Sequence, residues 1–155
     1  MTYYLYVQDL IIINGVFLDI VLNSTPLFKK IKIVLSDVDG VLTDGGMYYS
    51  TDGDVMKKFH ARDGMGISLL RKNDIPTIIV TKEKTKMVKH WSKKMNVKLF
   101  DGVLHKEDIL EKICVQYDVS PSEIAYIGDD VNDIDLLKLV GLGVVPKDGN
   151  PIAKK

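Results

Sequence analysis

Cysteine is almost absent: Cys114 is the only one in 155 residues. An intrachain disulfide is therefore excluded, and a small core thiol in a reducing compartment, the cytoplasm, is expected. Neither sign of charge is in excess, because 21 Lys and Arg face 21 Asp and Glu. A net charge of zero offers no global field for nucleic acid or an anionic membrane, so partners must come from local sites. The few histidines, His60, His90 and His105, show no metal-ligand spacing. Internal repeats and low-complexity tracts are missing. No long apolar run is free of polar residues either: Tyr3 to Leu22 is interrupted by Gln8, Asp9, Asn14 and Asp19 and has no basic leader. A central Asp costs roughly 2.5 to 3.5 kcal/mol on insertion scales, which opposes stable membrane insertion. Asn14-Gly15 within this segment is a hairpin-turn signal. Residues 1–30 are thus read as an N-terminal extension of unknown role, and residues 31–155 as one domain. The apolar content of 46% supplies material for one core.

What the chain does have is a set of short apolar runs that end in polar residues. Ile31-Lys32-Ile33-Val34-Leu35 leads into Ser36-Asp37-Val38-Asp39-Gly40, a buried strand delivering acids to its carboxyl end. Period-two alternation would set Asp37 and Asp39 on one side, and two like charges that close need a divalent cation or a shared proton. Met47 to Ser50 and Val55 to Phe59, joined around Asp52-Gly53, read as a β-hairpin flap beside the acids. Its apolar and aromatic residues would leave a monomer with an exposed patch, so a homo-oligomer using Met47 to Phe59 is expected.

Asp63 is read as the cap of a helix running through Met65, Ile67, Leu69 and Leu70 to about Lys72. Ile75 to Val80 is a second strand, ending at Thr81, a hydroxyl that either faces the crevice of Asp37 or caps the next helix. Met87, Val88, Trp91 and Met95 form a core stripe, with Lys84, Lys86, Lys89, Lys93 and Lys94 on the solvated face. After the strand Val97 to Phe100, Lys106 opens a helix that buries Ile109, Leu110, Ile113, Cys114 and Tyr117. A lysine is electrostatically misplaced at a positive helix start, which hints at a nearby anion. Ser120-Pro121-Ser122-Glu123 is a capping box; the strand Ile124 to Ile127 follows. That strand runs into Gly128-Asp129-Asp130-Val131-Asn132-Asp133, and a helix with Ile134, Leu137 and Val140 inward is closed by Gly141. This acidic loop lacks the alternating ligands and terminal Glu of an EF-hand.

Four strands alternating with helices argue for an α/β fold, a doubly wound, Rossmann-like parallel sheet with all carboxyl ends on one edge. Asp37, Asp39, Thr81, Lys106, Asp129 and Asp130 would then share that edge. Carboxylates for a metal, a hydroxyl and a cation are the equipment of phosphoryl transfer.

The ordered set Asp-x-Asp-Gly, Thr, Lys and Gly-Asp-Asp-x-x-Asp resembles the haloacid dehalogenase superfamily. Asp39-Gly40-Val41-Leu42-Thr43-Asp44-Gly45, Lys58 to Ile67 and Gly128 to Asp133 are similar to its capless phosphatases of 3-deoxy-D-manno-octulosonate 8-phosphate and of nine-carbon keto sugar acid phosphates. The resemblance covers roughly residues 31–153. It implies a HAD-like domain without a cap, assembled as a tetramer and acting on a phosphorylated sugar acid. Asp37 would be the nucleophile, Asp39 the acid and base, and Thr81 and Lys106 the holders of the phosphoryl group. Mg²⁺ would sit on Asp37, the Asp39 carbonyl and Asp129, supported by Asp130 and Asp133. Arg62 is the candidate for the substrate carboxylate.

The pattern departs in two places. Lys82 stands where a Gly usually follows the Thr, and the sequence ends at Lys155, ahead of the Gly-rich tail that relatives fold over a neighbouring active site. Weak or promiscuous activity is expected from these departures. Two other classes remain in view. A receiver domain would place its phosphoacceptor on an internal strand, between the acid pair and the Thr. A binding or oligomerisation module would not need Asp37, Asp39, Lys106 and Asp129 intact.

Overall fold

A computed structural model describes residues 28–155 of the chain. The N-terminal extension up to residue 27, with its Asn14-Gly15 turn signal, lies outside the described residues. In chain order the elements are β1 (Ile33–Ser36), a hairpin of β2 (Tyr48–Ser50) and β3 (Gly53–Met56), α1 (Ala61–Lys72), β4 (Thr77–Thr81), α2 (Lys86–Met95), β5 (Lys98–Asp101), α3 (Leu110–Tyr117), β6 (Ile124–Ile127), α4 (Ile134–Leu139) and β7 (Leu142–Val144). Single 3₁₀ turns at Lys106–Ile109 and Val131–Asp133 lead into α3 and α4.

The larger sheet has the order β5-β4-β1-β6-β7, and every pair in it is parallel. Parallel strands covered on both faces read as continuous apolar runs, and β4 is buried along all five of its residues. Alternate side chains sort to opposite faces. Ile33, Leu35, Ile78, Val80 and Tyr126 pack with Leu110 and Ile113 of α3 and Leu136 and Leu137 of α4. Ile79 packs the other way, with Ile67 of α1 and Val88 of α2. Helices on both faces make the sheet doubly wound, as the sequence pattern implies. Phe59 extends the second cluster by stacking on Trp91, ring centroids 4.6 Å apart, a contact worth roughly 0.5 to 1.5 kcal/mol beyond its buried area.

The strand order reverses at β1, which lies between β4 and β6. Open α/β sheets bind their ligands in the crevice outside such a switch point. Between β1 and α1 the only insertion is the small hairpin, so among the described residues no cap domain stands over that crevice. No helix of the described residues is long and apolar enough to cross a membrane.

Four local expectations are corrected. His60, not Asp63, caps α1: its backbone is extended and its ring Nδ1 accepts from Arg62 N at 3.1 Å, leaving Asp63 in the first turn. Thr81 does not cap α2, because Thr85 does so, accepting from Val88 N at 3.2 Å. The hairpin turn is Thr51-Asp52, and Gly53, at φ +106°, already opens β3, which ends at Met56 rather than Phe59. A fifth strand, β7, pairs with β6 where four strands are expected. Gly143 at its centre weakens the strand pattern, yet a Cβ there would come 2.8 Å from the Leu137 carbonyl oxygen, so close packing demands the glycine.

Candidate active site

β1 ends at Ser36, and Asp37 continues the ladder by one bond, donating its N–H to the Ile127 carbonyl of β6 at 2.9 Å. Its side chain is 8% exposed and fixed at both oxygens: Oδ1 accepts from Val38 N at 2.7 Å and Oδ2 meets Lys106 Nζ at 2.7 Å. The chain then turns at Gly40, φ +81°, a conformation that suits glycine. A Cβ on Gly40 would fall 2.0 Å from Asp129 Oδ2. Asp129, carried to the crevice by β6, is therefore packed against the peptide that follows Asp39.

Lys106 resolves the electrostatic misfit noted in the sequence. It is 1% exposed, in the turn before α3, and bridges Asp37 to Asp133 Oδ1 at 2.5 Å. Burial pulls its pKa down, but Asp37 and Asp133 outweigh that and hold it above the ordinary value.

Asp133 is completely buried, and all its accepting positions are in use. Oδ1 accepts from Lys106 and from the buried Tyr126 hydroxyl, both at 2.5 Å, while Oδ2 accepts from the backbone N–H groups of Asp129 and Asp130 at 2.9 and 3.0 Å. It shapes the acidic loop and orients Lys106. Asp130 points outward and caps the same loop, Oδ1 accepting from Val131 N at 2.8 Å and from Asn150 Nδ2 at 2.7 Å.

Asp37, Asp129 and Asp133 each offer a carboxylate oxygen, and the three lie within 4.8 Å of one another. Against three acids stands one ammonium. Burial first, then neighbouring charge, raises Asp129 to about 7 and Asp37 to about 6, with Lys106 opposing both shifts. Hard oxygen donors with surplus negative charge fit a divalent cation. Asp37 and Asp129 have the capacity to hold it; the oxygens of Asp133 are committed to hydrogen bonds.

Asp39 does not join this group through its carboxylate, contrary to the alternation argument. The strand has ended before it, and Oδ1 instead accepts from Thr43 Oγ1 at 3.2 Å and meets Lys57 Nζ at 2.6 Å. Thr81, 2% exposed, closes β4 next to β1, its hydroxyl accepting from Glu83 N at 3.3 Å. Lys82 beside it is exposed. Arg62 is exposed at the start of α1 and forms no ion pair among the described residues.

Sequence reasoning passes over Tyr126 and Lys57. A tyrosine inside the apolar run Ile124-Ala125-Tyr126-Ile127 is a usable signal, since a buried hydroxyl requires a partner. For Lys57 there is no local signal, because both its partners are distant in sequence.

Comparison with known proteins agrees with this geometry. A family model described as haloacid dehalogenase-like hydrolase matches residues 80–155. The 3-deoxy-D-manno-octulosonate 8-phosphate phosphatase of Escherichia coli K12 is 35% identical over 129 residues, covering 80% of this chain and 66% of that protein. This chain thus spans about two thirds of the length of the curated relatives it matches. Among solved structures, the cobalt-bound deoxy-D-mannose-octulosonate 8-phosphate phosphatase of Haemophilus influenzae superposes with a TM-score of 0.80 at 32% identity, over 83% of this chain and 75% of that one. The Moraxella catarrhalis 3-deoxy-D-manno-octulosonate 8-phosphate phosphatase, in complex with magnesium ion, phosphate ion and KDO, gives 0.77 at 30% identity over 81% and 72%. With this sheet, this order of site residues and these relatives, the chain belongs to the haloacid dehalogenase-like hydrolases.

Proposed function

We propose that this chain is a Mg²⁺-dependent phosphatase that hydrolyses a phosphate monoester of a sugar acid, of the 3-deoxy-D-manno-octulosonate 8-phosphate or nonulosonate 9-phosphate type. The observation that carries the reading is the buried Asp37–Lys106–Asp133 ion chain beside Asp129, at the switch point of the sheet. A carboxylate fixed at both oxygens is a pre-oriented nucleophile. With a pKa of about 6 it is mostly ionised at neutral pH. Mg²⁺, when bound at Asp37, Asp129 and the Asp39 carbonyl, supplies neutralising charge for the phosphoryl oxygens.

Asp37 attacks phosphorus, the bond to the ester oxygen breaks, and Asp39 gives a proton to the departing alkoxide. Asp39 then takes a proton from the water that attacks the aspartyl-phosphate, returning Asp37 and releasing phosphate. Lys106 balances charge on the phosphoryl group, and the Thr81 hydroxyl holds one of its oxygens. Asp130 and Asp133 keep the acidic loop in shape, and Arg62 meets the substrate carboxylate. Residues 31–155 form the phosphatase domain; it works in the cytoplasm as a homotetramer joined through the hairpin, where Met47 and Tyr49 are exposed.

The test is phosphate release from p-nitrophenyl phosphate and from a panel of sugar phosphates, with Mg²⁺ and with chelator. Asp37→Asn keeps the shape but removes the anionic nucleophile, so turnover is lost while the protein still folds and melts cooperatively. Full activity in Asp37→Asn, or metal-independent turnover by the wild type, refutes the mechanism.

A further inference from the structure

Lys57 is the one buried ammonium outside the Lys106 chain that is locked between two carboxylates among the described residues. Its side chain is 5% exposed, and Nζ lies 2.6 Å from Asp39 Oδ1 and 3.0 Å from Glu83 Oε2. The three residues belong to three separate segments. Asp39 is in the loop after β1, Lys57 follows the last residue of the hairpin, and Glu83 is in the loop after β4, two residues beyond Thr81.

The hydrogen bonding of Asp39 is one-sided. Oδ1 receives both Lys57 Nζ and Thr43 Oγ1, while Oδ2 has no hydrogen-bond donor among the described residues. Two donors converging on one oxygen fix the orientation of the carboxylate plane. Thr43 is itself held, 8% exposed, by its backbone N–H donating to the Val38 carbonyl at 3.0 Å and by the single bridge to Phe59, two residues after Lys57. One oxygen is thus immobilised and the other left for exchange with something that is not protein.

We propose that Lys57 is a positioning residue: with Glu83 anchoring it, it clamps Oδ1 of Asp39 so that Oδ2 is presented to the ester oxygen and then to the incoming water. This role rests on the reading of Asp39 as the acid and base of a phosphatase. It gives the hairpin a task in catalysis, because moving the segment after β3 moves Lys57 and with it the proton-exchanging oxygen. Misplacing such a group by about 1 Å is enough to lose a large part of its effect.

Two measurements on the full chain test the clamp. First, Lys57→Met and Glu83→Gln are assayed on p-nitrophenyl phosphate, whose leaving group departs without a proton, and on whichever primary alkyl phosphate the wild type turns over fastest. General acid catalysis contributes about 10² to 10⁴, so loss of its positioning should lower kcat/KM, which reports formation of the aspartyl-phosphate and not its hydrolysis, at least about tenfold more on the alkyl ester than on the aryl ester, with Lys57→Arg recovering part of the loss. An equal loss on both esters means a merely structural lysine and overturns the proposal. Second, lysine acylation followed by mass spectrometry needs no turnover: Lys57 should label among the slowest lysines in the wild type and faster in Asp39→Asn and Glu83→Gln. Rapid labelling in the wild type, or no change in both variants, overturns the clamp. Failure of the wild type to hydrolyse either ester would sink the phosphatase reading instead, and the labelling would still decide the clamp.

Discussion

Replacing Asp133 with asparagine should destabilise the protein more than any other single-atom change in the site. The carboxylate accepts four hydrogen bonds in a place with no solvent exposure. An amide has one acceptor oxygen and an NH₂. If the oxygen keeps the N–H groups of Asp129 and Asp130, the NH₂ faces Tyr126 and Lys106; the hydroxyl can turn to accept, but the ammonium cannot. The opposite orientation sets the NH₂ against two backbone donors, which is worse. Removing one partner of a buried ion pair costs roughly 3 to 5 kcal/mol. Lys106 still has Asp37 at 2.7 Å, and losing one negative charge relieves Asp37 and Asp129, whose pKa values Asp133 helps to raise. Both effects favour the lower end, about 3 kcal/mol. For a chain of this size that corresponds to a fall in Tm of roughly 6 to 12 °C. Urea denaturation at pH 7 in chelator, followed by circular dichroism, gives the free energy directly. A loss below about 1 kcal/mol at unchanged m-value would refute the view that this carboxylate organises the loop.

Gly40→Ala should weaken Mg²⁺ binding at least about tenfold by isothermal titration, because its Cβ would meet Asp129 Oδ2 at 2.0 Å and φ is +81°; wild-type affinity would show that Asp129 is free to move. Without metal, Asp129 and Asp37 have folded pKa values of about 7 and about 6 against an ordinary 3.8. A raised folded pKa gives stability that is complete below the unfolded value and is lost as pH rises through the folded one. The stabilisation by Mg²⁺, read as the shift in Tm, should therefore grow from pH 5 to pH 8; a shift independent of pH would contradict the charge-crowding argument. Met47, Tyr49, Val55 and Met56 are each at least 50% exposed on the hairpin, and light scattering should find an oligomer that Tyr49→Glu reduces in mass. A wild-type monomer at micromolar concentration would sink that interface.

The strands that carry the site were legible because their signal is local. Ile31 to Leu35, Ile75 to Val80 and Ile124 to Ile127 are apolar runs ending in polar residues, and each end lies at the crevice. Lys106 was legible for an electrostatic reason, a cation at a helix start, and its anions are Asp37 and Asp133. Alternation failed for Asp37 and Asp39 because it assumes an extended chain, and β1 stops at Ser36. Asp133 illustrates the remaining limit. In sequence it is the last acid of a cluster, indistinguishable from Asp130. In space its partners lie 27 and 7 residues upstream, so only the crossover of α3 and the register of β6 turn it from a loop acid into the buried hub that holds Lys106. Lys57 and Glu83 follow the same logic, 18 residues or more from the groups they hold: a side chain whose partners are brought by topology has no periodicity of its own. Expectation from sequence is thus strongest for residues at the ends of elements and weakest for those that connect one end to another.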